Sequence, residues 1–220
     1  MDQNSRKKQA ARAALEFIKP GMSLGVGTGS TVNLLIDQLE PFRDDLAAVV
    51  ASSRATEARL RAHGFAVVEL DQVGDLDLYV DGADEANKYF HLIKGGGGAL
   101  TREKILAAAS RKFVCIIDDS KWVATLGRFP LPIEVIPMAR SQVARQLVKL
   151  RGQPVWRENY VTDNGNQILD VHNLQITNPP DLETRLNQIP GIVTVGLFAL
   201  RPADVILMAE DSGVKRLDRR

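Results

Sequence analysis

The sequence carries a single cysteine, which rules out an internal disulfide framework. Cys115 lies in the apolar run FVCII and reads as a buried strand residue rather than a nucleophile or ligand. An excess of charge is also missing: 28 lysines and arginines face 27 aspartates and glutamates, for a net charge of +1. That near balance exerts no global pull toward DNA, RNA or anionic lipid, so any anion must be recognised locally. No apolar run approaches the length that spans a bilayer. The N-terminal stretch reads as an amphipathic helix stopped by Pro20 and Gly21, without the apolar core of a signal peptide. The three histidines, His63, His91 and His172, are scattered without metal-ligand spacing, and no serine sits in a nucleophile elbow. The expectation is a reduced, soluble, cytoplasmic protein with no metal site and no nucleic-acid or membrane partner.

Short apolar runs alternate with helical patterns from residue 22 to about 118: MSLGV, LAAVVAS, AVVEL, LDLYV and KFVCIID, separated by stretches such as RATEARLRAHG and ALTREKILAAAS. This alternation predicts an α/β fold with an open, mostly parallel, Rossmann-like sheet and helices on both faces. After GRFPLPIEVIPM the pattern changes. A strand at IEVI leads to a helix opened by Ser141 as N-cap and stopped at Gly152. Two extended runs flank Asn164-Gly165, a short hairpin signal, and a helix over 181–188 precedes the strand GIVTVGLFA. The order β-α-β-β-α-β is that of a ferredoxin-like α+β unit. The predicted division is a catalytic α/β domain over 1–128 and 204–220, with ADVILMA returning to its sheet, and a ferredoxin-like domain over 129–203 suited to an oligomer interface.

Ligands of an open parallel sheet bind beyond the carboxyl ends of its strands, so the loops there carry the argument. GVGTGST, Gly25–Thr31, offers backbone N–H groups and the Ser30 and Thr31 hydroxyls to a phosphate, and reads equally as a tight strand-to-helix turn. DGADE places Asp81 and Asp84 at a strand end, where they can bind sugar hydroxyls, hold a metal or act as acid and base, or simply form an Asx turn and a cap. KGGGGALTREK sets four glycines between Lys94 and a helix; their N–H groups can hold an oxyanion, with Glu103 one turn into that helix. DDSK adds Lys121, either an anion partner or a solvated lysine. The coincidence of four such loops is what points to chemistry.

These stretches, together with FPLPIEVIPMA, VTDNGN and PGIVTVGLF, occur in the order of the type A ribose-5-phosphate isomerase family, which the sequence resembles from near its N-terminus to about residue 208. The resemblance implies an aldose-ketose isomerase of the pentose phosphate pathway that interconverts D-ribose 5-phosphate and D-ribulose 5-phosphate through an enediolate. It implies no metal or organic cofactor, a sugar-phosphate substrate, and a homodimer or dimer of dimers. It makes Glu103 the general base, with a pKa expected to be raised by burial and neighbouring aspartates, and adds Asp81, Asp84 and Lys94 as catalytic partners. The substrate-binding positions it implies are Thr28, Gly29, Ser30, Thr31, Asp81, Gly82, Ala83, Asp84, Lys94, Gly95, Gly96, Gly97 and Lys121, with Lys7 a weaker phosphate candidate. Two rivals share such sheets. A sugar-phosphate-sensing regulator would need a DNA-reading element, which the sequence lacks; a CoA transferase or amino-sugar-phosphate deaminase would use a related fold, and the transferase would form a thioester on its glutamate.

Overall fold

The computed structural model describes residues 2–219; Met1 and Arg220, the outermost residues of the expected first domain, lie outside the described residues. In chain order the elements are α1 Gln3–Ala14, β1 Ser23–Val26, α2 Ser30–Ile36, β2 Ala48–Ala51, α3 Arg54–Ala62, β3 Leu76–Asp81, β4 Glu85–Ala86, β5 Leu92–Ile93, α4 Leu100–Ala108 and β6 Ser110–Asp118. There follow β7 Leu131–Val135, α5 Arg140–Lys149, β8 Gln153–Trp156, β9 Gln167–His172, α6 Pro179–Asn187, β10 Ile192–Val195, β11 Leu197–Phe198, β12 Val205–Glu210 and β13 Gly213–Asp218. The chain divides into two compact units: one of Met1–Ala83, Arg102–Trp122 and Ala203–Arg220, the other of Asp84–Thr101 and Val123–Pro202.

The first unit is built on a six-stranded sheet in the order β13-β12-β6-β3-β1-β2. All its neighbours pair in parallel except the β12–β13 hairpin at one edge. Strand alternation explains the core. Leu78 and Val80 of β3, Val114 and Ile116 of β6, and Val205 and Leu207 of β12 share one buried cluster with α1, α2 and α3. α1 contributes Ala10, Ala11 and Ala14, small enough to bring its backbone close to the sheet, and its first turn is capped by Asp2, which accepts from the N–H of Ser5 at 2.7 Å. The alternate positions Tyr79, Phe113, Cys115 and Ile117 are buried as well. Cys115 is buried and in no disulfide, as its apolar run predicts.

The second unit contains a four-stranded antiparallel sheet, β10-β7-β9-β8. With α5 after β7 and α6 after β9, this is the ferredoxin-like order. Its core gathers Ile133, Val143, Leu147, Leu169, Leu186 and Val195. A three-stranded sheet, β11-β5-β4, completes it.

Several local expectations are corrected. The run 66–70 is not a strand: it contributes one bridge, Val67 to Val49. GIVTVGLFA is two strands in two sheets, divided at Gly196, whose carbonyl accepts from Lys94 N and whose N–H donates to Pro132 O. α5 starts at Arg140, after a 3-10 turn over Pro137–Ala139, so Ser141 lies inside the helix; the left-handed residue at its end is Arg151 (φ 65°) rather than Gly152. The runs around Asn164-Gly165 are no tight hairpin. Their strands stop at Trp156 and restart at Gln167, because loop 157–166 spends its polar groups on other segments. The division into units also falls at other points than 128/129 and 203/204. β4 and β5 are too short to register in a sequence pattern, yet β4 pairs with β5 and β5 with β11, and Asp84–Thr101 falls in the second unit.

Candidate active site

The expected site residues fall in both units. In the first, β1, β3 and β6 are neighbours and run parallel, so Gly27–Thr31, Asp81–Ala83 and the turn Asp119–Lys121 all follow the carboxyl ends of adjacent strands. Asp81 is fully buried at the end of β3. Its Oδ1 accepts from the N–H of Thr28 at 3.0 Å and of Gly82 at 2.7 Å, while Oδ2 takes the Tyr79 hydroxyl. Gly27 is dictated by this clamp, since a Cβ there would lie 2.0 Å from the Asp81 carboxyl. Asp81 therefore anchors the glycine turn to β3.

The Thr28 hydroxyl is drawn into a cluster with Ser52, Ser53 and Thr56, at 2.9, 2.7 and 3.0 Å. Thr56 in turn donates to the carbonyl of Gly27 at 2.7 Å, and Ser53 caps α3 by accepting from Thr56 N at 3.0 Å. Gly29 and Ser30 remain exposed at the start of α2, with Thr31 half-buried. Lys7 of α1 places its Nζ 3.0 Å from the Ser30 hydroxyl. Asp118 is buried and caps the turn that ends at Lys121, accepting from the N–H of Ser120 at 3.1 Å.

Glu103 lies in the first turn of α4 and is 4% exposed. Tyr79 links it electrostatically to Asp81. Burial pushes the Tyr79 phenol well above its ordinary pKa, and the negative charges of Asp81 and then Glu103 push it further. The phenol thus stays protonated and serves as a fixed donor to Asp81.

In the second unit, Lys94 follows β5 and is only 3% exposed. Its backbone N–H donates to Gly196 O at 2.9 Å, and its ammonium stands 5.6 Å from the centre of the Phe198 ring. Asp84 is half-buried, and its Oδ2 accepts from the N–H of Gly96 at 2.8 Å. That N–H, one of the expected oxyanion donors, is thus engaged by a carboxylate. Glu85, buried beside it, accepts from the N–H groups of Gly127 and Phe129 at 2.7 and 2.6 Å and so shapes a loop rather than a ligand site. The carbonyls of the glycine run are held by loop 157–166: Arg157 reaches those of Gly95 and Gly96, and Tyr160 that of Gly97.

Sequence reading missed Tyr79, the hydroxyl cluster of Ser52, Ser53 and Thr56, Arg157 and Tyr160. Two signals were available: the hydroxyl-rich SSRAT at the end of β2, and the buried polar ring implied by LDLYVD. Arg157 and Tyr160 act only through chain folding and left none. Among the described residues no group of three or more His, Cys, Asp or Glu is placed to hold a metal ion, and no helix is long and apolar enough to cross a membrane.

Comparison with known proteins identifies the family. A family model described as ribose 5-phosphate isomerase A (phosphoriboisomerase A) matches residues 48–213. The ribose-5-phosphate isomerase A of Francisella tularensis subsp. novicida is 61% identical over 214 residues, 97% of this chain and 96% of its own length. Among solved structures, ribose 5 phosphate isomerase A from Neisseria gonorrhoeae is similar with a TM-score of 0.96 and 43% identity, over 100% of this chain and 98% of that one. A D-ribose-5-phosphate isomerase solved in complex with phospho-erythronic acid is similar with a TM-score of 0.94 and 37% identity, over 100% of both chains.

Proposed function

The chain belongs to the ribose 5-phosphate isomerase A family and interconverts ribose 5-phosphate and ribulose 5-phosphate in the pentose phosphate pathway; from that premise we propose that Glu103 is the base that carries the proton. The observation that supports this most is the withdrawal from solvent of Glu103 and Lys94, at 4% and 3% exposure, since ionisable side chains are rarely buried without a task.

In the proposed route Glu103 removes the proton from C2 of the open-chain aldose. The electron pair forms the C1–C2 double bond, and the carbonyl pair moves to O1, giving an enediolate. The Lys94 ammonium and the N–H groups of Gly95 and Gly97 hold this charge. Glu103 then returns the proton to C1 as O2 becomes the carbonyl oxygen and its proton passes to O1.

Asp84, with one oxygen engaged by Gly96, orients substrate hydroxyls. Asp81, with three donors from its own unit, contributes chiefly by fixing Thr28, Gly82 and Ala83. The phosphate lies at Gly29, Ser30 and Thr31, and Lys7 beside Ser30 and Lys121 balance its charge. A solved relative is in complex with phospho-erythronic acid, whose carboxylate carries an oxyanion of the kind that Lys94 and the glycine run would hold. No cofactor enters this route.

We further propose a homodimer that pairs through the second unit. Strand β8 is an edge of its sheet and exposes Val155 and Trp156, while Met138, Val161 and Leu200 of the same unit are exposed as well. A cytoplasmic location suits a single buried cysteine outside any disulfide and suits the pathway.

The test of the base is Glu103→Gln. Its kcat should fall roughly 10²–10⁴-fold, the usual contribution of a positioned base, with the melting temperature little changed. Near-normal turnover by the folded variant would remove Glu103 from this role.

A further inference from the structure

We infer that loop 157–166 sets the shape of the glycine run, with Arg157 and Tyr160 acting as positioning residues for the isomerisation. Nothing in the sequence pattern distinguishes this loop from scaffold, yet its side chains grip three consecutive carbonyls. The Arg157 guanidinium is half-buried and pairs two-pronged with Asp170 of β9, Nε at 2.8 Å and Nη2 at 2.6 Å. That pair fixes the plane of the fork and leaves its outer edge for the backbone. Nη1 reaches Gly95 O at 3.3 Å and Gly96 O at 3.1 Å, and Nη2 reaches Gly95 O at 3.3 Å. The Tyr160 hydroxyl donates to Gly97 O at 3.0 Å, and its ring lies 5.4 Å from the Arg157 guanidinium.

A planar trans peptide points its N–H opposite to its C=O, so holding a carbonyl aims the next residue's N–H. Arg157 on Gly95 O sets the N–H of Gly96, which meets Asp84. Arg157 on Gly96 O sets the N–H of Gly97, directing it away from the guanidinium. Tyr160 on Gly97 O sets the N–H of Gly98, which returns to Gly95 O at 2.9 Å. Glycines have no side chains to hold such an arrangement, and a run of them left alone samples many conformations. The cation behind the peptide dipoles also polarises the N–H groups on their far side, making them better donors. Gly98 belongs to the same fit: its φ is +81°, and a Cβ there would lie 2.0 Å from the Tyr160 hydroxyl.

The inference rests on the reading that Lys94–Gly97 hold the reacting oxygens, so the experiment separates the two. Arg157→Lys, Tyr160→Phe and, as the control for that reading, Lys94→Met are compared in the full-length protein. Measured are kcat and KM for ribose 5-phosphate, the inhibition constant of phospho-erythronic acid, and the melting temperature. Lysine cannot reproduce the fork, and phenylalanine removes only the hydroxyl. Misplacing the donors should lower kcat about 10–100-fold and weaken phospho-erythronic acid in proportion, with KM and melting temperature nearly constant. If Lys94→Met is crippled while Arg157→Lys and Tyr160→Phe turn over normally, the positioning role is overturned and the reading of Lys94 stands. Losses that merely follow the fraction of unfolded protein also overturn it. If Lys94→Met itself is normal, the reading of the glycine run fails and the positioning role falls with it.

Discussion

Removing the Asp81 carboxylate should destabilise the first unit more than its modest side-chain volume suggests, because three donors converge on this fully buried carboxylate. Asp81→Ala strands the N–H of Thr28, the N–H of Gly82 and the hydroxyl of Tyr79. A buried donor left without a partner costs about 1–3 kcal/mol, and the lower part of that range applies to Thr28 and Gly82, which are only part-buried. The sum is about 3–5 kcal/mol. For a chain of this size that corresponds to a fall in melting temperature of roughly 6–20 °C. Asp81→Asn is the milder case: its carbonyl oxygen still serves both backbone donors, its amide faces a hydroxyl that can turn and accept, and the cost is about 1–2 kcal/mol. The decisive comparison is the double variant Tyr79→Phe/Asp81→Ala. Phenylalanine has no hydroxyl to strand, so the double variant should be more stable than the sum of the single losses by about 1–2 kcal/mol. Urea unfolding followed by near-ultraviolet circular dichroism reads all five proteins: wild type, Asp81→Ala, Asp81→Asn, Tyr79→Phe and the double variant. A loss below about 1 kcal/mol in Asp81→Ala, or strict additivity in the double variant, would refute the clamp.

Other expectations follow from the same geometry. Tyr79 should contribute a pH dependence at the alkaline end: its folded pKa lies above its unfolded value of about 10, so its stabilisation is complete below pH 10 and is lost as pH rises through the folded pKa. Unfolding free energies should decline above pH 10 by up to about 1.4 kcal/mol per pH unit from this group, and Tyr79→Phe should remove that part of the slope; an unchanged slope would contradict the assignment. In the second unit, fully buried Glu134 accepts from Thr162, Asn164, Asn166 and Thr101. Glu134→Ala should cost about 3–5 kcal/mol and Glu134→Gln distinctly less, measured by urea unfolding; equal losses would contradict the expectation that the retained shape and one acceptor oxygen preserve part of the network.

The parallel sheet was legible because strands buried on both sides are nearly continuous apolar runs, and β1, β3 and β6 read that way. The ferredoxin-like order was equally plain from IEVI, the helix after it and the closing strand. What escaped reading was short or set by distant partners. β4 and β5 have two residues each and exist only because they pair with each other and β5 pairs with the distant β11. β13 carries Lys215, Arg216 and Asp218 on an edge and has no apolar period to announce it. GIVTVGLFA looks like one strand, and only the bonds that Gly196 makes to Lys94 and Pro132 divide it. The site shows the same split. Glycines and carboxylates at strand ends announce themselves by composition, whereas Tyr79 looks like any core aromatic and Arg157 like any charged loop residue. Tyr79 is betrayed only by the carboxylate two residues on in LDLYVD, and the role of Arg157 depends on a hydrogen bond to Gly96 that no local pattern encodes.

The most direct measurement of the central claim is deuterium uptake from heavy water, followed by NMR in the presence of a chelator. Wild-type protein and Glu103→Gln are each incubated with ribose 5-phosphate. The account predicts deuterium at C1 of the ribulose 5-phosphate formed and at C2 of the recovered ribose 5-phosphate for the wild type, and a rate lower by roughly 10²–10⁴-fold for the folded variant. Deuterium uptake by folded Glu103→Gln at the wild-type rate would contradict the claim that this glutamate carries the proton.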